Sequence, residues 1–147
     1  MQASGETGNT ALKVLVVDPN AHIRRLIATL MGALGAVEVI EARTPAIATT
    51  KMLTLQPDLV VVDWSGDPTE VTLFVHRIRQ GDVVDRRTPV LALVGPPLHN
   101  VLERAWLADG IIAKPISAIE LIDRAGELVD EWRGRSQSED QLAEAAE

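Results

Sequence analysis

Apolar and polar positions along this chain follow two alternating rhythms. Short, mostly apolar stretches occur at Leu12 to Val17, Val37 to Ala42, Leu59 to Val62, Pro89 to Val94 and Ile111 to Ala113, with Leu59 to Val62 an unbroken run rich in β-branched residues. Such runs mark strands in a parallel sheet covered on both faces. Between them the spacing changes to three and four. Ile23, Leu26, Ile27, Leu30 and Leu34 form a helical stripe with Arg24 and Arg25 turned outward and Gly35 as its stop. Thr44 before Pro45 is a helix cap followed by a proline at the first helical position, which predicts a second helix to about Leu55. Val71, Phe74, Val75 and Ile78 mark a third helix ending near Gly81. Leu98, Val101, Leu102 and Ala105 mark a fourth, and Ser117 with Glu120 forms a capping box that opens a last helix to about Trp132.

Five strands alternating with five helices predict an α/β domain: a doubly wound parallel sheet with right-handed crossovers and helices on both faces. Three of the strands end on a charged residue, Asp18 after the first, Asp63 after the third and Lys114 after the fifth. In open α/β sheets, chemistry collects at the carboxyl ends of the strands. Asp63 closes the run PDLVVVDW and precedes the turn-forming Ser65-Gly66-Asp67-Pro68, which makes it the first candidate. Two neighbouring carboxylates repel, and a hard cation such as Mg²⁺ relieves that cost. One carboxylate could then attack phosphorus while a lysine offsets the phosphoryl charge. The plainer alternative makes Asp18 and Asp63 helix caps and Lys114 a solvated side chain. It accounts for each residue singly but poorly for all three together.

Composition narrows the field. At 147 residues the chain is the size of one domain and holds no cysteine, which removes disulfides, thiol nucleophiles and thiolate metal sites. No apolar run approaches the roughly 20 residues of a membrane span, and the opening MQASGETGNT lacks the features of a secretory signal, so a cytoplasmic location is expected. A formal charge of −7 and an aromatic content of 3% argue against a nucleic-acid binder. Residues 1–10 are small and polar and are expected to be disordered, and residues 134–147 form an acidic tail, read as disordered in preference to a frayed extension of the last helix, leaving a domain over residues 11–133. His22, His76 and His99 are scattered without triad-like partners and are expected at the surface.

The pieces KVLVVDPNAHIRRLI, PDLVVVDW, TPVLAL and IIAKPIS occur in an order and at a spacing that resemble the receiver domain of two-component response regulators, over roughly residues 12–132. The likeness is greatest to stand-alone receivers. It implies a flavodoxin-like sheet of order 2-1-3-4-5 and a role in bacterial phosphorelay signalling, not an enzyme in its own right. It further implies that Asp63 accepts the phosphoryl group, that Asp18, Asp63 and the backbone carbonyl of Ser65 hold Mg²⁺, that Lys114 is the family lysine, and that the Lys114-Pro115 bond is cis. The implied partners are a histidine kinase or phosphotransfer protein and a downstream protein target, with no nucleic acid and no membrane. Homodimer formation is left open.

Several positions depart from the family pattern. Pro19 stands where the second member of the acidic pair supplies a metal ligand, so Mg²⁺ should bind weakly. Asp67 is a substitute ligand only if its turn role allows. Val94 replaces the hydroxyl residue and Ile111 the aromatic residue that report phosphorylation, while Gly95-Pro96-Pro97 stiffens the loop that normally moves. These departures motivate an alternative, an atypical receiver that acts as a phosphorylation-independent protein-interaction module. A phosphohydrolase of the haloacid-dehalogenase type is disfavoured because the position needing its second carboxylate is Ser65.

Overall fold

Residues 11–35, 37–65, 68–95 and 107–146 are described by the structure, a computed structural model. Five parallel strands form one sheet: β1 (Leu12–Val17), β2 (Val37–Ala42), β3 (Leu59–Asp63), β4 (Val90–Val94) and β5 (Gly110–Ala113), in the order β2-β1-β3-β4-β5. Among the described residues the α-helices are α1 (Ala21–Met31), α2 (Pro45–Leu55), α3 (Pro68–Gln80) and α4 (Ala118–Ala146), with a 3-10 turn over Gly32–Leu34. The helix expected over residues 98–105 and the disorder expected over residues 1–10 lie outside the described residues, as do Asp67, Pro96, Pro97, His99 and Trp106.

The central strands alternate their buried side chains between two cores because successive residues point to opposite faces. Leu15, Val17, Val60, Val62, Val90 and Ala92 pack under Met52 of α2 and Phe74, Val75 and Ile78 of α3. Val14, Val16, Leu59, Val61, Leu91 and Leu93 pack under Ile27 and Met31 of α1 and Leu121, Ala125 and Leu128 of α4. Both faces are thus covered, which is why the central strands β3 and β4 read as near-continuous apolar runs. Local signals hold where expected. Thr44 accepts a hydrogen bond from Ile47 N with Pro45 opening α2, Gly81 takes a positive φ of 79° after α3, and the Lys114-Pro115 bond is cis.

Three expectations change. Leu26 is half-exposed, and Met31 takes the buried place in the α1 stripe beside Ile27. Arg24, expected to point outward, is instead largely buried and ion-paired to Glu41. Finally, the last helix does not stop near Trp132 but continues to Ala146. Beyond Trp132 the apolar stripe fades, so periodicity predicts a tail. The Gln, Glu, Leu and Ala of this stretch nevertheless favour helix, and a preformed helix in front of them removes the cost of nucleation. An ion pair from Arg87, in the loop before β4, to Glu139 fastens the extension to the body.

Candidate functional site

Asp18, Asp63 and Lys114 meet at the carboxyl edge of the sheet because three adjacent ladders each run on past their strands. Asp18 N donates to Ala42 O at 3.1 Å, Trp64 N to Leu93 O at 2.8 Å and Lys114 N to Val94 O at 2.8 Å. Backbone pairing therefore sets the height of all three side chains. Lys114 Nζ donates to Asp63 Oδ1 at 2.8 Å and lies 3.5 Å from Asp18 Oδ2. One ammonium bridges two carboxylates, and both acids are mostly buried.

The two acids are held differently. Asp18 Oδ1 accepts from Asn20 N at 2.8 Å, which curls the chain, and Asn20 Oδ1 then caps α1 by accepting from His22 N and Ile23 N. Arg24 donates from Nη1 to Asp18 O at 2.9 Å and from Nε to Glu41 Oε1 at 2.9 Å, so it ties this turn to the end of β2. Sequence reading missed Arg24. A charged residue on a helix face reads as solvated unless its acidic partner is known, and Glu41 lies on another element.

Burial pushes the Asp18 carboxyl above its ordinary value of 3.8, helped by the negative charge of Asp63 and opposed by Asn20 N–H and Lys114. Burial by itself would lower the Lys114 pKa, but the hydrogen bond and charge of Asp63, with the charge of Asp18, outweigh it and raise the ammonium above 10.5. Asp18 Oδ2 is buried and, apart from the Lys114 ammonium 3.5 Å away, has no polar partner among the described residues. A buried carboxylate oxygen left over beside a second carboxylate fits a hard cation, as the donor set of Asp18, Asp63 and the Ser65 carbonyl requires. Pro19 is exposed and adds no oxygen from its side chain. Among the described residues no group of three or more His, Cys, Asp or Glu side chains is placed to hold a metal. The set that the resemblance implies comprises two carboxylates and a backbone carbonyl.

The raised Asp18 pKa has a measurable consequence. The unfolded chain releases this proton at lower pH than the folded one, so stability falls as pH rises from 3.8 through the folded value. In metal-free buffer Asp18→Asn is expected to be more stable than wild type at pH 7 by about 1 kcal/mol, with the gain vanishing towards pH 3. Urea unfolding at the two pH values checks this, and a variant less stable at pH 7 contradicts it.

The neighbouring positions match the departures noted in the sequence. Val94 is fully buried and pairs with Ala113, so an isopropyl group fills the place of a hydroxyl. Ile111 is exposed, near the limit of partial burial. A Cβ on Gly95 would come within 3.2 Å of Ser65 Oγ, so glycine lets the end of β4 lie against the loop after Asp63. Trp64 is fully buried in the core under α2 and α3. His22 and His76 are exposed, as expected. A cleft of about 170 Å³ opens beside Asp63, lined by Val17, Pro19, Arg43 and Glu70 among others. Among the described residues no helix is long and apolar enough to cross a membrane.

Fold and site define a doubly wound α/β domain with a carboxylate pair and an ammonium at its carboxyl edge. No protein-family model matches the chain. The phosphate regulon transcriptional regulatory protein PhoB of Pseudomonas aeruginosa is 30% identical over 112 residues, 76% of this chain and 48% of that protein. Protein-glutamate methylesterase/protein-glutamine glutaminase 2 of Chromobacterium violaceum is 28% identical over 127 residues, 81% of this chain and 34% of that protein. The chain thus spans less than half the length of either relative.

Among solved structures, the receiver domain of the Francisella response regulator 1452 superposes with a TM-score of 0.69 at 25% identity, covering 82% of this chain and 98% of that one. A CheY-like response regulator receiver domain protein from Methanospirillum hungatei gives 0.75 at 19% identity, covering 86% and 99%. The chain contains a response-regulator receiver domain.

Proposed function

We propose that this receiver accepts a phosphoryl group on Asp63 in phosphorelay signalling, with a histidine kinase or phosphotransfer protein as donor and a protein as downstream target. The observation that carries the reading is the Lys114 ammonium 2.8 Å from Asp63 Oδ1 and 3.5 Å from Asp18 Oδ2. A carboxylate oxygen of Asp63 attacks phosphorus and forms an O–P bond. The P–N bond of a phosphohistidine donor breaks, and its electron pair leaves on the imidazole nitrogen. Lys114 offsets the charge of the transferring group, and the buried walls at Val17 and Val94 limit water at the nucleophile. Asp18, Asp63 and the Ser65 carbonyl would hold Mg²⁺, which when bound supplies Lewis-acid polarisation of a phosphoryl oxygen. Loss of an acidic ligand at Pro19 makes that binding weak. On this reading the chain is a phosphoryl acceptor and not an enzyme with a separate substrate.

A buried Val94 without a hydroxyl favours a second reading, a receiver whose contacts are set by a partner and not by phosphate. The two are separated by one experiment. With a small acyl phosphate and Mg²⁺, intact mass of the wild type is expected to rise by one phosphoryl group and that of Asp63→Asn to stay unchanged. Trp fluorescence, with Trp64 next to Asp63, is expected to respond to Mg²⁺ and then to beryllofluoride. No phosphoryl gain and no response to either ligand would favour the phosphorylation-independent module.

A further inference from the structure

At the opposite edge of the sheet from Asp63, a cleft of about 280 Å³ is lined by Arg79, Arg86, Arg87, Asp109 and Arg135. Four guanidinium groups converge there from α3, the loop before β4 and the extension of α4, in a protein of formal charge −7. Two of them are structural. Arg79 is largely buried, donating from Nε to Leu107 O, from Nη1 to Arg86 O and Thr88 O, and from Nη2 to Asp109 Oδ2 at 2.5 Å. Arg87 is bound by Asp85 and Glu139.

The other two are not neutralised in this way. Neither Arg86 nor Arg135 makes a side-chain hydrogen bond or a salt bridge among the described residues, and they line the same cleft from the loop and from the helix. Asp85, Asp109 and Glu139 are engaged by Arg87 and Arg79, and Glu131 and Glu139 also lie near Arg135, so what sets Arg86 and Arg135 apart is that their guanidinium groups have no hydrogen-bonded partner among the described residues. Arg79 also keeps one N–H without an acceptor among the described residues. Its five donors include two on Nη2, of which Asp109 takes one. A donor held by backbone carbonyls, lining one cleft with two guanidinium groups that have no hydrogen-bonded partner among the described residues, is suited to phosphate oxygens, which guanidinium binds in a forked geometry.

We infer that this cleft binds a phosphate-bearing small molecule, with the phosphate or diphosphate group seated between Arg86 and Arg135 against Arg79. Binding there would join the loop before β4 to the α4 extension, which among the described residues meets that loop through the Arg87–Glu139 pair. The site stands apart from Asp63 and does not rest on phosphorylation of that residue.

Inorganic pyrophosphate, titrated into the full chain by calorimetry at low salt, is the probe. Saturable binding at one site per chain is expected, equal in wild type and Asp63→Asn and weakened at least tenfold in the Arg86→Ala/Arg135→Ala double variant. Arg79 is left intact because it holds the loop together. Hydrogen exchange provides a second readout: amides of residues 82–88 and 130–146 should exchange more slowly with pyrophosphate in wild type only. Absence of saturable binding, equal binding in the double variant, or binding lost in Asp63→Asn would each overturn the inference, the last by assigning the anion to the Lys114 site.

Discussion

Replacing Trp64 with alanine is expected to destabilise the protein by about 3–5 kcal/mol, the usual cost of removing a large aromatic side chain from a packed core. The indole is fully buried, in the cluster with Val62, Val71, Phe74 and Val94, directly after the candidate acceptor. It belongs to the face covered by α2 and α3. A domain of this size has about 5–15 kcal/mol of stability in all, so the loss would lower the Tm by roughly 10 °C or more. Trp64→Phe is expected to cost far less. It keeps most of the packing and removes an indole N–H that is buried without a hydrogen-bond partner among the described residues. Thermal and urea unfolding of both variants decide the matter. A loss of under about 1 kcal/mol in Trp64→Ala would mean that this side chain does not anchor the core.

The second large effect belongs to Lys114. On the proposed reading, Lys114→Ala should slow phosphoryl incorporation at Asp63 about 100-fold, in the range seen when one electrostatic stabiliser is removed from a preorganised site. The ammonium is the cation that both Asp18 and Asp63 face. Without it two buried carboxylates confront each other, and Asp18, already raised by burial, loses the charge that opposes the rise. Lys114→Arg keeps the charge but not the compact ammonium, so an intermediate rate is expected. The measurement is the time course of phosphoryl gain by intact mass with a small acyl phosphate. The lysine is partly exposed, so the fold should survive, which circular dichroism checks in parallel. A rate equal to wild type in Lys114→Ala would remove the lysine from the mechanism.

Most of the framework is local and was therefore legible. Unbroken β-branched runs, the Thr44-Pro45 cap and the Gly81 stop each act within a few residues, and all are where the pattern puts them. The meeting of Asp18, Asp63 and Lys114 was inferable as well, because each stands at the end of a strand and adjacent parallel strands end at one edge. What stayed hidden depended on partners far along the chain. Arg24 looked solvated until β2 brought Glu41 to it, 17 residues away. The acidic stretch after Trp132 left a tail or a helical extension open because its apolar stripe fades; α4 runs on to Ala146, and only the fold shows that Glu139 of this extension comes to pair with Arg87, 52 residues away.

Periodicity and the short-range chemistry of caps and turns thus account for the strands, the starts of α1, α2 and α4, the class of sheet and the three charged residues at strand ends. Only the tertiary structure decided that one ammonium bridges two buried carboxylates, that Asp18 keeps an oxygen without a hydrogen bond, and that four arginines from three segments line one cleft at the far edge. Burial and the distance between charges set those energies, and both are properties of packing between elements that no local pattern encodes.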